Sequence, residues 1–169
     1  AVQILYPKKG VWGEAMKNIY FYDTDIGKIT IAEEEGFISH LLFGHEELPD
    51  SRVNETPLLK EAHKQIAEYL KGQRKSFDLP LSPSGTEFQQ KVWKALTSIP
   101  YGTTVSYKDI AGKIGNEKAC RAVGMANNRN PIALIIPCHR VIGKNGKLIG
   151  YGGGLDIKEY LLKLERDNL

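Results

Sequence analysis

The first half of the chain reads as sheet, then one helix. Residues 18–23 and 28–32 are rich in aromatic and β-branched side chains and are separated by a polar break with Gly27, which predicts a hairpin. Residues 33–36 make a second turn, residues 37–43 a third strand, and residues 44–54 a polar loop. Leu59, Ala62, Ile66, Tyr69 and Leu70 then recur at helical spacing. Thr56 and Pro57 open that helix, as cap and first helical residue, and Gly72 closes it. Residues 77–79 return as a strand.

Residues 80–85 carry Pro80, Pro83 and Gly85 and predict a linker between two domains, 1–79 and 86–169. Beyond it the pattern turns helical. Thr86 and Gln89 form a capping box ahead of Phe88, Val92, Trp93 and Leu96. Ser106 and Asp109 open a second helix in the same way, with Tyr107, Ile110, Ala111 and Ile114 along one side. Gly115 and Asn116 stop and restart the chain. A third helix over residues 117–126 is built of small residues: Ala119, Cys120, Ala122, Gly124 and Ala126. A last helix, capped by Asp156, carries Ile157, Leu161 and Leu164 on its apolar face, with Glu165 beside them. The apolar run 132–136, bounded by Pro131 and Pro137, predicts a fully buried strand. The fold class is therefore mixed α/β (α+β), in two small domains.

Charge divides along the same line. Residues 1–85 hold 10 Lys and Arg against 13 Asp and Glu, whereas residues 86–169 hold 13 against 7. A helix–glycine turn–helix in the basic half fits either a polyanion-binding unit or a merely solvated basic surface. The third helix offers small side chains and one Arg121, a poor set for reading major-groove base edges but one that allows close approach in a minor groove. A tightly packed internal helix fits the same residues.

The chemistry concentrates at Cys138, His139 and Arg140, directly after Pro137. A base and a positive field beside a thiol favour the nucleophilic thiolate. On a regular strand, adjacent side chains face opposite ways, so the pair acts together only at a turn or across a water. A buried structural cysteine is the alternative. Two cysteines, Cys120 and Cys138, make neither a disulfide framework nor a zinc quartet, and point to a reducing, cytoplasmic setting. No apolar run approaches a membrane span, and the amino end shows no secretory signal.

The string from Asn130 through Pro137-Cys138-His139-Arg140-Val141-Ile142, followed by Gly150-Tyr151-Gly152-Gly153-Gly154 and a helix carrying Lys158 and Glu165, closely resembles the O6-alkylguanine-DNA alkyltransferases. The resemblance is nearly continuous from Thr86 to Glu165 and weaker before it. A related group carries Trp in place of the family's Cys; this chain has Cys138. The resemblance implies a small ribonuclease-H-like sheet domain bracing a winged-helix-like domain. It implies stoichiometric, irreversible transfer of an alkyl group from O6-alkylguanine in double-stranded DNA to Cys138, with O4-alkylthymine left open. No cofactor is expected. Some relatives bind zinc in the first domain; with no cysteine before Cys120, no such metal is expected here. The protein is expected to act as a monomer.

Residue by residue, the resemblance makes His139 the base that deprotonates Cys138 through a water, and Glu165 its orienting partner. Tyr107 protonates the guanine ring nitrogen N3. Asn130 ties the turn before the active-site strand. Val141, Tyr151, Gly152 and Gly153 hold the base, and Arg121, in a helix with Ala119, Cys120, Ala122 and Gly124, enters the duplex as the target nucleotide swings out. Many relatives have Ala where this chain has Cys120. Two other readings remain: a DNA-binding module without catalysis, and a cysteine hydrolase.

Overall fold

The structure, a computed structural model, describes residues 3–4 and 16–169. The reading of the amino end as free of a secretory signal falls mostly outside these residues. The chain forms two compact units, Ala1–Ser84 and Gly85–Leu169.

The first unit is a six-stranded mixed sheet with one helix. β1 is Gln3–Ile4, β2 Lys17–Thr24, β3 Gly27–Glu34, β4 Phe37–Phe43 and β5 Ser51–Val53; α1 is Pro57–Leu70 and β6 Pro80–Leu81. Their order across the sheet is β1-β6-β4-β3-β2-β5. The hairpin β2–β3 turns at Gly27, whose φ of 97° lies in the left-handed region that glycine enters without strain. Thr56 caps α1 by accepting a hydrogen bond from the Leu59 N–H, with Pro57 in the first turn. The helix buries Leu59, Ala62, Ile66 and Tyr69 with Ile29, Ile31, Ile38 and Leu41 of the sheet. At about 1.5–3 kcal/mol per large apolar side chain, this layer is the unit's main source of stability.

Two sequence expectations change here. The polar loop 44–54 contains β5, which pairs in parallel with Lys17–Ile19 at the sheet edge. The returning strand begins at Pro80, within the expected linker, and not over residues 77–79. Phe77 and Leu79 are buried, but the backbone between them is bonded to a side chain: Gln65 donates to the Asp78 carbonyl and accepts from the Asp78 N–H. A buried helix amide thus takes the place of a neighbouring strand.

The second unit contains α2 Glu87–Leu96, β7 Val105–Ser106, α3 Tyr107–Lys113, α4 Cys120–Asn128, β8 Val141–Ile142 and α5 Leu155–Asp167. Both capping boxes form: Thr86 with Gln89 and Ser106 with Asp109. α3 and α4, joined through Gly115 at φ 80°, make the helix-turn-helix, and β7 pairs with β8 in a short parallel ribbon. α4 begins later and ends later than residues 117–126. No side chain caps it earlier, its first residue follows Ala119, and nothing stops it before Asn128. Asp156 is not the cap of α5. Gly154, at φ 97°, takes that position, and Asp156 sits in the first turn, where its charge favours the helix dipole.

The largest departure is the apolar run 132–136. All five residues are buried, but they do not form a strand. Leu134 has φ 68°, and the Ile136 N–H bonds back to the Ile132 carbonyl. The Asn130 side chain closes the loop: it accepts from the Ile132 N–H at 3.0 Å and donates to the Ile136 carbonyl at 2.8 Å. One amide satisfies two buried backbone groups that a sheet would otherwise have had to satisfy. Among the described residues, no helix is long and apolar enough to cross a membrane.

Candidate active site

Pro137 leads the chain from the Asn130-closed loop into a single 3-10 turn, Cys138–Arg140. The turn answers the geometric difficulty of an adjacent Cys–His pair, because consecutive residues no longer point to opposite faces. All three are buried, with Cys138 5% and His139 0% exposed. Behind them lies α5. Its buried stripe is Lys158, Leu161, Leu162 and Glu165, shifted from the expected Ile157–Leu161–Leu164 face.

Glu165, 1% exposed, organises the polar core of the site. Its carboxylate lies 2.7 Å from His139 Nε2 and accepts from Arg140 Nε at 2.8 Å, from a second Arg140 nitrogen at 3.1 Å, and from the Gly102 N–H at 3.0 Å. Burial alone would raise its pKa. The hydrogen bonds from His139 and Arg140, with the Arg140 charge, outweigh that and hold the carboxyl at about 2. With Nε2–H directed at this carboxylate, the lone pair of the neutral imidazole lies on Nδ1.

Arg140 does not serve as the positive field on the thiol. Its guanidinium is engaged by Glu165, by the Ile99 carbonyl at 2.7 Å and by the face of the Tyr101 ring. The cation that acts on Cys138 is Lys158. Its Nζ, fully buried, donates to the Val141 carbonyl at 2.7 Å and to the Ile149 carbonyl at 3.1 Å. Sequence reasoning gave Lys158 no role. The signal was present in its spacing, since Lys158 falls three, four and seven residues before Leu161, Leu162 and Glu165, on the buried phase of the helix.

Protonation states follow from burial. Desolvation pushes the Cys138 thiol up, although a hydrogen bond from Asn130 and the charge of Lys158 act the other way. Desolvation likewise lowers His139, partly offset by Glu165. The resting pair is thus a thiol beside a neutral imidazole, which is the arrangement in which the imidazole can accept the thiol proton.

Tyr107, at the start of α3, donates to the Ile149 carbonyl at 3.3 Å and packs near Gly124. Burial raises its pKa, so the phenol keeps its proton. Val141 is buried in β8 directly after the turn. Tyr151 and Gly153 are half-buried and Gly152 exposed, in the loop that leads to α5.

On α4, Arg121 and Ala122 are exposed, and Ala119, Cys120 and Gly124 half-buried; Lys118 and Arg129 add exposed positive charge. The face is small-residued and basic. Among the described residues, no three of His, Cys, Asp and Glu are grouped as a metal ion would require.

This geometry has close counterparts. The family model for the 6-O-methylguanine DNA methyltransferase DNA-binding domain matches residues 87–167, and that for its ribonuclease-like domain matches residues 19–83. A methylated-DNA–protein-cysteine methyltransferase of Methanosarcina acetivorans is 55% identical over 148 residues, covering 85% of this chain and 95% of that protein. The constitutive methylated-DNA–protein-cysteine methyltransferase of Bacillus subtilis is 51% identical over 152 residues, covering 85% and 89%. Among solved structures, Mycobacterium tuberculosis OGT in complex with DNA superposes with a TM-score of 0.84 at 43% identity, covering 89% of this chain and 94% of that one. With both domains matched in order across most of its length, the chain belongs to the 6-O-methylguanine DNA methyltransferase family, the O6-alkylguanine-DNA alkyltransferases.

Proposed function

We propose that this protein repairs O6-alkylguanine in double-stranded DNA by moving the alkyl carbon irreversibly onto Cys138. The observation that carries the reading is the buried turn in which Cys138 adjoins His139, itself held by Glu165 at 2.7 Å. A sulfur–carbon bond forms as the carbon–O6 bond breaks, and the bonding pair leaves with the guanine. His139 takes the thiol proton. Tyr107 gives a proton to the ring nitrogen N3 and regains one by way of His139, so the thiol proton ends on restored guanine. The thioether has no leaving group that this site can activate, so each molecule acts once.

A base inside a duplex is out of reach of a buried sulfur, so the nucleotide must leave the stack. Small residues on α4 suit close approach in the minor groove, and exposed Arg121 fills the space vacated. Val141, Tyr151, Gly152 and Gly153 line the pocket for the base, and Asn130 holds the loop that presents the sulfur. A reaction that depends on a reduced thiol, with both cysteines free, suits the cytoplasm.

The reading is tested by incubation with a duplex containing O6-methylguanine, followed by mass spectrometry. A gain of one CH2 on the peptide bearing Cys138 is expected. Unmodified protein that still binds the duplex would leave only a binding module, and ester or peptide turnover would indicate a hydrolase.

Arg121→Ala is expected to slow repair of duplex by about 100-fold, the kinetic equivalent of a few kcal/mol of unstacking. Its reaction with free O6-benzylguanine, which needs no flipping, should stay near the wild-type rate. Equal losses on both substrates would remove Arg121 from that role.

The rate should also be flat across neutral pH. A neutral His139 is required, and its lowered pKa puts the acid limb below the ordinary 6.5; the raised Cys138 pKa puts any alkaline change above 9.0. His139→Ala should convert this plateau into a rise of about tenfold per pH unit, because the thiolate must then form unaided. A wild-type rate that already climbs steadily through pH 7–8 would show that His139 is not the base.

A further inference from the structure

The last turn of α4 and the residues just after it touch several neighbouring elements, the Cys138 turn among them. Trp93 Nε1 donates to the Ala126 carbonyl at 2.9 Å, Asn127 approaches the Cys138 turn, Asn128 lies against Gly150, and Asn130 closes the loop before the nucleophile. Asn127 stands out among them. It is 2% exposed, and its Nδ2 lies 3.5 Å from the Cys138 carbonyl. Its Oδ1 is buried with no hydrogen-bond partner among the described residues.

A half-satisfied buried amide is a cost to folding, and an apolar side chain of similar size would pack there without it. A polar residue at such a place acts by fixing one arrangement of its neighbours over others. The neighbour here is the backbone of the reacting residue. The Cys138 carbonyl already accepts from the Val141 N–H within the 3-10 turn, and Asn127 adds a second donor from a different element. α4 carries Arg121 at its exposed first turn and Asn127 at its buried last turn, one rigid body about 9 Å long between them.

We propose that Asn127 is a positioning residue that ties the orientation of Cys138 to α4, so that the helix seated on DNA and the sulfur facing the lesion are aligned as one piece. It touches neither substrate nor sulfur, and acts through the Cys138 carbonyl. The inference rests on Cys138 being the alkyl acceptor.

Single-turnover kinetics on a duplex with O6-methylguanine test it, with Asn127→Leu and, because alanine suits a helix whatever surrounds it, Asn127→Ala. The limiting transfer rate should fall about tenfold, the kinetic equivalent of one hydrogen bond. Duplex affinity should be unchanged, and Asn127→Leu should melt at or above the wild-type temperature. Transfer at the wild-type limiting rate in both variants overturns the proposal. So does a slower rate accompanied by matching losses of affinity and melting temperature, which would mark a packing role. Wild-type protein run in parallel separates the two readings: if it gains no methyl on Cys138, the repair function fails, whatever Asn127 does.

Discussion

Cys138→Ala should take up no alkyl group from O6-methylguanine duplex or from free O6-benzylguanine, while binding the duplex as wild type does. Within the turn the sulfur is the strongest nucleophile once it loses its proton. It is 5% exposed and adds little to any surface that DNA could touch. Removing one buried thiol should cost stability on the order of 1 kcal/mol, too little to unfold a domain. Cys138→Ser is the stricter form of the experiment. It retains shape and hydrogen bonding, but a hydroxyl is a far weaker nucleophile than a thiol and the same base cannot activate it equally. Methyl uptake by either variant, detected by mass, would mean that another group is the acceptor. Cys120, half-exposed on α4, would then be the first candidate.

Glu165→Ala is expected to bring the largest loss of stability. The carboxylate holds a buried imidazole, a buried guanidinium and the Gly102 backbone N–H. Removing it strands the Arg140 charge in the interior, and breaking a buried pair from one side costs about 3–5 kcal/mol. That is a large part of the 5–15 kcal/mol typical of a small domain, so the second unit should melt far lower or unfold. Glu165→Gln keeps the shape but not the charge. It should fold better than alanine yet still react slowly, since a neutral amide stabilises an imidazolium poorly.

The same group sets acid stability. The folded-state pKa of Glu165 is depressed, from an ordinary 4.5 to about 2. Its contribution is therefore complete above pH 4.5 and is lost as pH falls towards 2. Acid unfolding of the wild type should show a steep loss across that window, absent from Glu165→Gln. A wild-type curve with no more slope there than the variant's would mean that Glu165 is not held as a charged partner.

Much of this was legible in the residues themselves because it rests on local rules. A cap oxygen meets an N–H three residues away, so Thr56, Thr86 and Ser106 marked their helices correctly. Gly27 marked the hairpin because φ 97° costs other residues strain. The Pro137-Cys138-His139-Arg140 string pointed to the chemistry, and the hydrophobicity of residues 132–136 correctly announced burial. Burial says nothing about conformation, however. An apolar run is equally apolar as strand or turn, and it was the Asn130 amide, bonding to both Ile132 and Ile136, that chose turns.

Partners distant in sequence were beyond any local rule. Glu165 joins His139 and Arg140 across 26 and 25 positions, and Arg140 reaches the Ile99 carbonyl across 41. Only the folded chain decides that Arg140 neutralises Glu165 while Lys158 supplies the charge near the sulfur, because Coulomb and hydrogen-bond energies depend on separation in space. The same holds for β5 and β6, which are too short to declare themselves and exist because a neighbouring strand offers them a ladder. The nature of the reaction was written into one short string of residues, whereas the protonation states that let it proceed arise from burial, which the string alone does not contain.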